Sequence, residues 1–199
     1  MSKKVIVIGA TGTIGSAVAR TLEAENHEVV RASRKGPVKV DLDDLASIDA
    51  LFASIRDVDA VVSVAASVKL TPLTLLSEED IVLALKSKLL GQVALLVRAA
   101  NHLNDGGSIT LTGGTFKEPI PGSAMGALVN AGLEGFVRAA ALELPRGLRV
   151  NVVSPGWVKE TLVNMGMESA GGTAVSDVAR AYVEAVEGKM LGQTIIPLY

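Results

Sequence analysis

Cysteine is absent from the 199 residues. That excludes disulfides, thiolate metal sites and cysteine nucleophiles. Histidine occurs only at His27 and His102, far apart in sequence, so no metal centre is expected. Aromatic residues make up 3% of the chain against 49% hydrophobic residues overall, so the core must be aliphatic. An excess of one charge is also missing: 19 Lys and Arg face 21 Asp and Glu, a formal net charge of −2. With no block of like charge, neither nucleic acid nor an anionic membrane is expected as a partner. A long apolar run is lacking too. In MSKKVIVIGATG the apolar stretch ends after four residues in a glycine-rich turn, too short for an export signal or a membrane span. The protein is read as cytoplasmic.

What is present is a regular alternation. Short β-branched runs cover residues 4–9, 27–32, 38–42, 59–65, 107–113, 148–154 and 193–198. Amphipathic stretches lie between them at 12–24, 45–55, 77–101, 123–143 and 176–187. The stretch 77–101 places Ile81, Leu85, Leu89, Val93 and Leu96 at helical spacing, and Ser77 and Ser176 are read as N-caps. Most strand runs are continuously apolar, so both sheet faces are covered. The pattern predicts an α/β fold, three-layer, with one doubly wound parallel sheet of about seven strands. No linker or repeat divides the chain, so residues 1–199 are one domain. Residues 157–173, rich in Gly and Met, read as a mobile loop or short helix.

The first strand runs into Gly9-x-x-Gly12-x-x-Gly15 and then a helix, the arrangement of a Rossmann-type dinucleotide site. Gly9 permits the sharp turn, Gly12 the close approach of a pyrophosphate, and Gly15 the packing of helix on sheet. Thr11, Thr13 and Ile14 complete the turn, and the helix N-terminus offers free N–H groups. A bare packing turn is the alternative. At the end of the second strand an NAD site would carry a carboxylate. Here the residues are Arg31-Ala32-Ser33-Arg34-Lys35. Ser33, Arg34 and Lys35 suit a ribose 2′-phosphate, with Arg34 as a planar fork of donors, unless the segment is a solvated basic loop. NADP(H) is therefore expected over NAD(H). Asp41 and Leu42 would lie near the adenine, and the small Ala65 and Ala66 would leave room for the adenosine ribose.

The glycine motif, VDL after the third strand, Leu89-x-Gly91, GGSITLT, LEGFVRAAALEL and RVNVVSPG together resemble the short-chain dehydrogenase/reductase family. The resemblance runs from Lys4 to about Thr161. It implies a nicotinamide near Pro155 and Gly156, followed by Trp157 and Val158. It also implies a homodimer or homotetramer built through helices 77–101 and 123–143. The family's chemistry uses a Tyr, a Lys four residues later on the same helix face, a Ser and an Asn. In this chain those positions hold Gly126, Asn130, Gly113 and Lys88, and Asn-Ala-Gly has become Ala65-Ala66-Ser67. No shift of register supplies the Tyr, since the only tyrosines are Tyr182 and Tyr199.

The Asn and Lys positions have exchanged residue types. Lys88 either reaches the nicotinamide ribose from the opposite side, with Asn130 as its hydrogen-bond partner, or simply reaches solvent. A partly buried Lys also shifts its pKa readily and so qualifies as a proton donor. Thr112 and Thr115 are candidates to bond a substrate oxygen, or else they close a strand end. Candidate catalytic residues are thus Lys88, Thr112 and Asn130. Three functions remain open: an NADP(H)-dependent oxidoreductase acting on a small carbonyl-type substrate, a non-catalytic coenzyme-loaded sensor or scaffold, and a structural dimer subunit.

Overall fold

The computed structural model describes residues 2–65 and 68–197. Ala66, assigned above to the adenosine ribose, lies outside them. Seven parallel strands form one sheet in the order β3-β2-β1-β4-β5-β6-β7. They are β1 (Lys4–Ile8), β2 (Glu28–Ser33), β3 (Val38–Lys39), β4 (Val58–Ser63), β5 (Leu103–Thr112), β6 (Arg149–Val153) and β7 (Thr194–Ile195). The helices are α1 (Thr13–Ala24), α2 (Leu45–Ser54), α3 (Glu78–Ala84), α4 (Gly91–His102), α5 (Ala124–Ala140), α6 (Lys159–Asn164) and α7 (Val175–Glu187).

Strand side chains alternate between two cores. Val5, Val7, Ala60 and Val62 pack against α1 and α7. Ile6, Ile8, Val61, Ile109 and Leu111 pack on the other face with residues of α2, α4 and α5. Burial on both faces explains the continuous apolar runs, each fully buried branched side chain contributing about 1.5–3 kcal/mol. The strand order reverses between β1 and β4, which opens a crevice beyond their C-terminal ends.

Several boundaries differ from expectation. The single helix 77–101 is three pieces, because Leu85–Leu90 between α3 and α4 is a π turn. Its buried stripe is Lys88, Gly91, Gln92, Leu95, Leu96 and Ala99, whereas Ile81, Leu85, Leu89 and Val93 are only half-buried. Of the predicted stripe Leu96 is buried and the rest is displaced, because Lys88, Gly91 and Gln92 do not register as apolar. Ser77 does cap α3, in a capping box with Asp80. Ser176 caps nothing, since α7 starts at Val175 and Glu160 Oε2 accepts the Val175 N–H at 2.9 Å instead. Of the strand expected over 193–198, Thr194 and Ile195 are the residues that pair with β6 among those described, and Leu198 lies outside them.

Residues 157–173 contain α6 and are closed at the neck. Lys159 N–H donates to the Thr173 carbonyl at 2.9 Å, and Thr173 N–H donates to the Trp157 carbonyl at 2.8 Å.

Candidate functional site

The crevice is built first by glycine geometry. Gly9 turns out of β1 with φ +82°, a conformation an L side chain rarely adopts. A Cβ at Gly15 would lie 2.1 Å from the Gly9 carbonyl oxygen, so α1 sits directly on the turn. Gly12 is the N-cap of α1 and no side chain caps that end. The N–H groups around Thr13, Ile14 and Gly15 therefore face the crevice with the positive end of the helix. The amides of Gly9 and Ala10 both donate to the Ala32 carbonyl, at 2.9 and 3.2 Å, which ties the end of β2 to the turn.

Beside this turn, Ser33 is buried and its Oγ has no hydrogen-bond partner. Arg34 and Lys35 are exposed and form no ion pair among the described residues. Arg31 is different: Nε and Nη2 grip Glu23 at 2.9 and 2.7 Å, so its guanidinium belongs to α1. Asp41 accepts the Asp43 N–H at 3.1 Å, and Leu42 is buried under Gly91. Ala65 packs on the aliphatic core. This set is one that a dinucleotide fits. There is a turn where a Cβ at Gly9 or Gly15 would clash, an orphaned buried hydroxyl, an open helix end and two cations without an ion pair among the described residues. Gly9, Thr11, Gly12, Thr13, Ile14 and Gly15 would hold a pyrophosphate, and Ser33, Arg34 and Lys35 a 2′-phosphate.

Further along the sheet edge, Pro155 and Val158 are buried, and Gly156 and Trp157 are half-buried. The Trp157 ring meets Phe116 edge-on, with centroids 6.4 Å apart. Phe116 also explains Gly126. A Cβ at that position would lie 3.2 Å from the Phe116 ring. Likewise a Cβ at Gly113 would lie 2.5 Å from Ser154 Oγ, which donates to Glu134 Oε1 at 2.8 Å. At both glycines, expected above to stand where a Tyr and a Ser would, neighbours occupy the space a side chain would need. Sequence reading missed Phe116, although the rarity of aromatic residues was a usable signal.

Lys88 and Asn130 sit on facing elements, the π turn and α5, which pack together. Both are buried. Burial alone pushes the Lys88 ammonium down to about 8, because the charged form is poorly solvated there. Its ammonium has no ion-pair partner among the described residues. Asn130 Oδ1 is buried without a hydrogen-bond partner, and its Nδ2 lies against Gly114.

Thr112 does not join them. Its hydroxyl is engaged with the Ser63 carbonyl and, at 2.8 Å, with Tyr182 of α7 on the opposite layer. Tyr182 is fully buried, and its hydroxyl is pushed well above the ordinary tyrosine range by desolvation. This makes Thr112 a post between sheet and α7, the strand-end alternative named above, with its hydroxyl turned to these two partners.

A family model described as enoyl-(acyl carrier protein) reductase matches residues 16–186. The 3-oxoacyl-[acyl-carrier-protein] reductase MabA of Mycobacterium avium is 29% identical over 173 residues, covering 79% of this chain and 68% of its own length. Carbonyl reductase family member 4 of Danio rerio is 29% identical over 182 residues, covering 79% and 76%. Among solved structures, the protein lin1944 from Listeria innocua superposes with a TM-score of 0.93 at 36% identity, covering 99% of this chain and 100% of that one. A small-chain dehydrogenase in complex with NADPH superposes with a TM-score of 0.85 at 27% identity, covering 98% and 96%. With its parallel seven-stranded sheet, its glycine cradle and these likenesses, the chain belongs to the short-chain dehydrogenase/reductase family of oxidoreductases.

Proposed function

We propose that the protein is an NADP(H)-dependent oxidoreductase that reduces a small carbonyl-type substrate in a rearranged active site, as a homodimer or homotetramer in the cytoplasm. The observation that carries this reading is the pair Lys88 and Asn130. Both are buried, Lys88 has no ion-pair partner among the described residues, Asn130 Oδ1 has no hydrogen-bond partner, and the two carry the family's Asn and Lys types in exchanged order. The NADPH-bound small-chain dehydrogenase supports the choice of coenzyme, as do the orphaned Ser33 Oγ and the unpaired Arg34 and Lys35.

The bound coenzyme supplies the hydride. Pro155, Gly156, Trp157 and Val158 form the wall where the nicotinamide would rest. Trp157 and Phe116 exclude water from the reacting carbonyl. The Lys88 ammonium, made more acidic by burial, donates the proton to the oxygen as negative charge develops there. Asn130, on the facing helix α5, keeps an unpartnered Oδ1 as a second polar group. Removal of such a general acid costs on the order of 10²–10⁴ in rate.

A second reading, a coenzyme-loaded sensor without turnover, is favoured by one observation: no side chain at Gly126 can act, and Phe116 closes that space.

The experiment is a titration with NADPH and NADH joined to a turnover screen on small carbonyl compounds. NADPH is expected to bind more tightly than NADH. Arg34→Ala should weaken NADPH by about ten- to a hundredfold, from loss of charged hydrogen bonds, and leave NADH unchanged. Lys88→Ala should still bind NADPH but lose turnover. Binding without turnover in the parent would establish the sensor reading, and full turnover in Lys88→Ala would overturn the role given to the amine.

A further inference from the structure

Gln92 is polar and completely buried. Its carboxamide has two N–H donors and one oxygen, and all three are used. Nε2 donates to the Lys88 carbonyl and to the Thr112 carbonyl, each at 2.9 Å. Oε1 accepts the Thr112 N–H at 2.8 Å. For the last residue of β5 this side chain does what a neighbouring strand would do. With its remaining N–H it holds a carbonyl of the π turn.

That carbonyl matters to the shape of the turn. In π geometry the main-chain bond shifts from i→i−4 to i→i−5, and π turns are rare against ordinary α-helix. A buried carbonyl in such a turn needs a dependable partner. The Lys88 carbonyl finds one in a side chain four residues on, itself anchored to the sheet. We infer that Gln92 is a positioning residue that locks the π turn onto the end of β5 and thereby fixes where the Lys88 amine sits opposite α5. Its functional meaning rests on the reading of Lys88 given above, but its structural content does not.

The depth of the amine is measurable. Burial is the sole cause that lowers Lys88. The charged and titratable residues around the turn, Glu78, Glu79, Asp80, Lys86, Arg98, His102, Glu134, Arg138 and Asp43, whose Oδ2 accepts the Ser87 hydroxyl at 3.0 Å, form no ion pair with Lys88 among the described residues. If the π turn relaxes toward α-helix, the side chain turns outward and its proton affinity returns to that of a solvated lysine.

The test is competitive acetylation of the whole protein with trace acetic anhydride across a pH series, read at Lys88 by peptide mass spectrometry. In the parent the labelling midpoint is expected at about 8. In Gln92→Met, which matches the length but makes none of the bonds, it should move toward the ordinary value of 10.5. Labelling near the parent's midpoint should then fall by at least about tenfold. Gln92→Glu keeps the acceptor for the Thr112 N–H, loses both donated bonds, and should move the midpoint the same way. A folded variant of either kind with an unchanged midpoint overturns the inference. Should neither variant fold, hydrogen exchange on the parent decides. Amides of residues 88–93 as protected as those of β5 are expected, and exchange as fast as in exposed α3 overturns it. If Lys88→Ala keeps its turnover while the Gln92 variants still shift the midpoint, the function reading fails and the positioning role stands.

Discussion

Lys88 is a cost to the fold while it is charged. Its folded pKa of about 8 lies below the ordinary 10.5. Between those two values the unfolded chain therefore binds more protons than the folded one. Stability rises with pH across that window, and the penalty is fully present below it. The shift corresponds to a penalty on the order of 3 kcal/mol. Lys88→Met removes the charge and keeps most of the apolar stem. The variant should be the more stable protein at pH 7 in urea titrations, and the difference should shrink as pH rises from about 8 toward 10.5. A variant less stable than the parent at pH 7 would mean that the ammonium makes a favourable contact instead. The same titration gives a sign for catalysis. Only the protonated amine donates, so the rate of carbonyl reduction should fall as pH passes about 8. A residue that weakens the fold and is set into a crevice by polar neighbours is typical of a functional site.

At the scale of elements, a missing side chain and a neighbour that fills its place must be read together. Gly126 of α5 lies under the Phe116 ring, and even a Cβ would press on it at 3.2 Å. Gly126→Tyr is therefore expected to lower stability by about 1–3 kcal/mol through overpacking, and to gain no activity. The combination with Phe116→Ala should recover most of that stability in thermal melts. Equal melts for Gly126→Tyr and the parent would show that the ring moves aside freely. This contact also marks the limit of what the sequence made legible. The β1–turn–α1 unit was readable because glycine spacing has a single geometric purpose there. The strands were readable because two-sided burial leaves continuous apolar runs. The π turn was not, because its determinants are a polar stripe of Lys88 and Gln92 that a hydrophobic period cannot register. The role of Thr112 was also hidden, since its partner Tyr182 is 70 residues away.

For the whole molecule, the outer sides of α3, the π turn, α4 and α5 expose Val82, Leu83, Leu90, Val97 and Leu128. These belong to the two segments expected to join subunits. A cluster of large apolar side chains on adjacent helices suits association with a second copy. Paired substitution Leu90→Glu and Leu128→Glu should convert the oligomer to monomer in sedimentation experiments, while the folded α/β signal in circular dichroism is retained. A parent that sediments as a monomer would remove the proposal. Among the described residues no helix is long and apolar enough to cross a membrane.

The closed neck at Trp157 and Thr173 has a consequence for how the chain is cut. The tip beyond it carries exposed Val163, Met165 and Met167 and a left-handed Gly166. A protease should nick there first. The break would not release the C-terminal piece, because Tyr182 and its neighbours on α7 are embedded in the core against α1, and residues 194–195 still pair with β6. Two fragments should migrate together on a sizing column and separate only in denaturant, so the nicked material would behave as a non-covalent complex of its own halves.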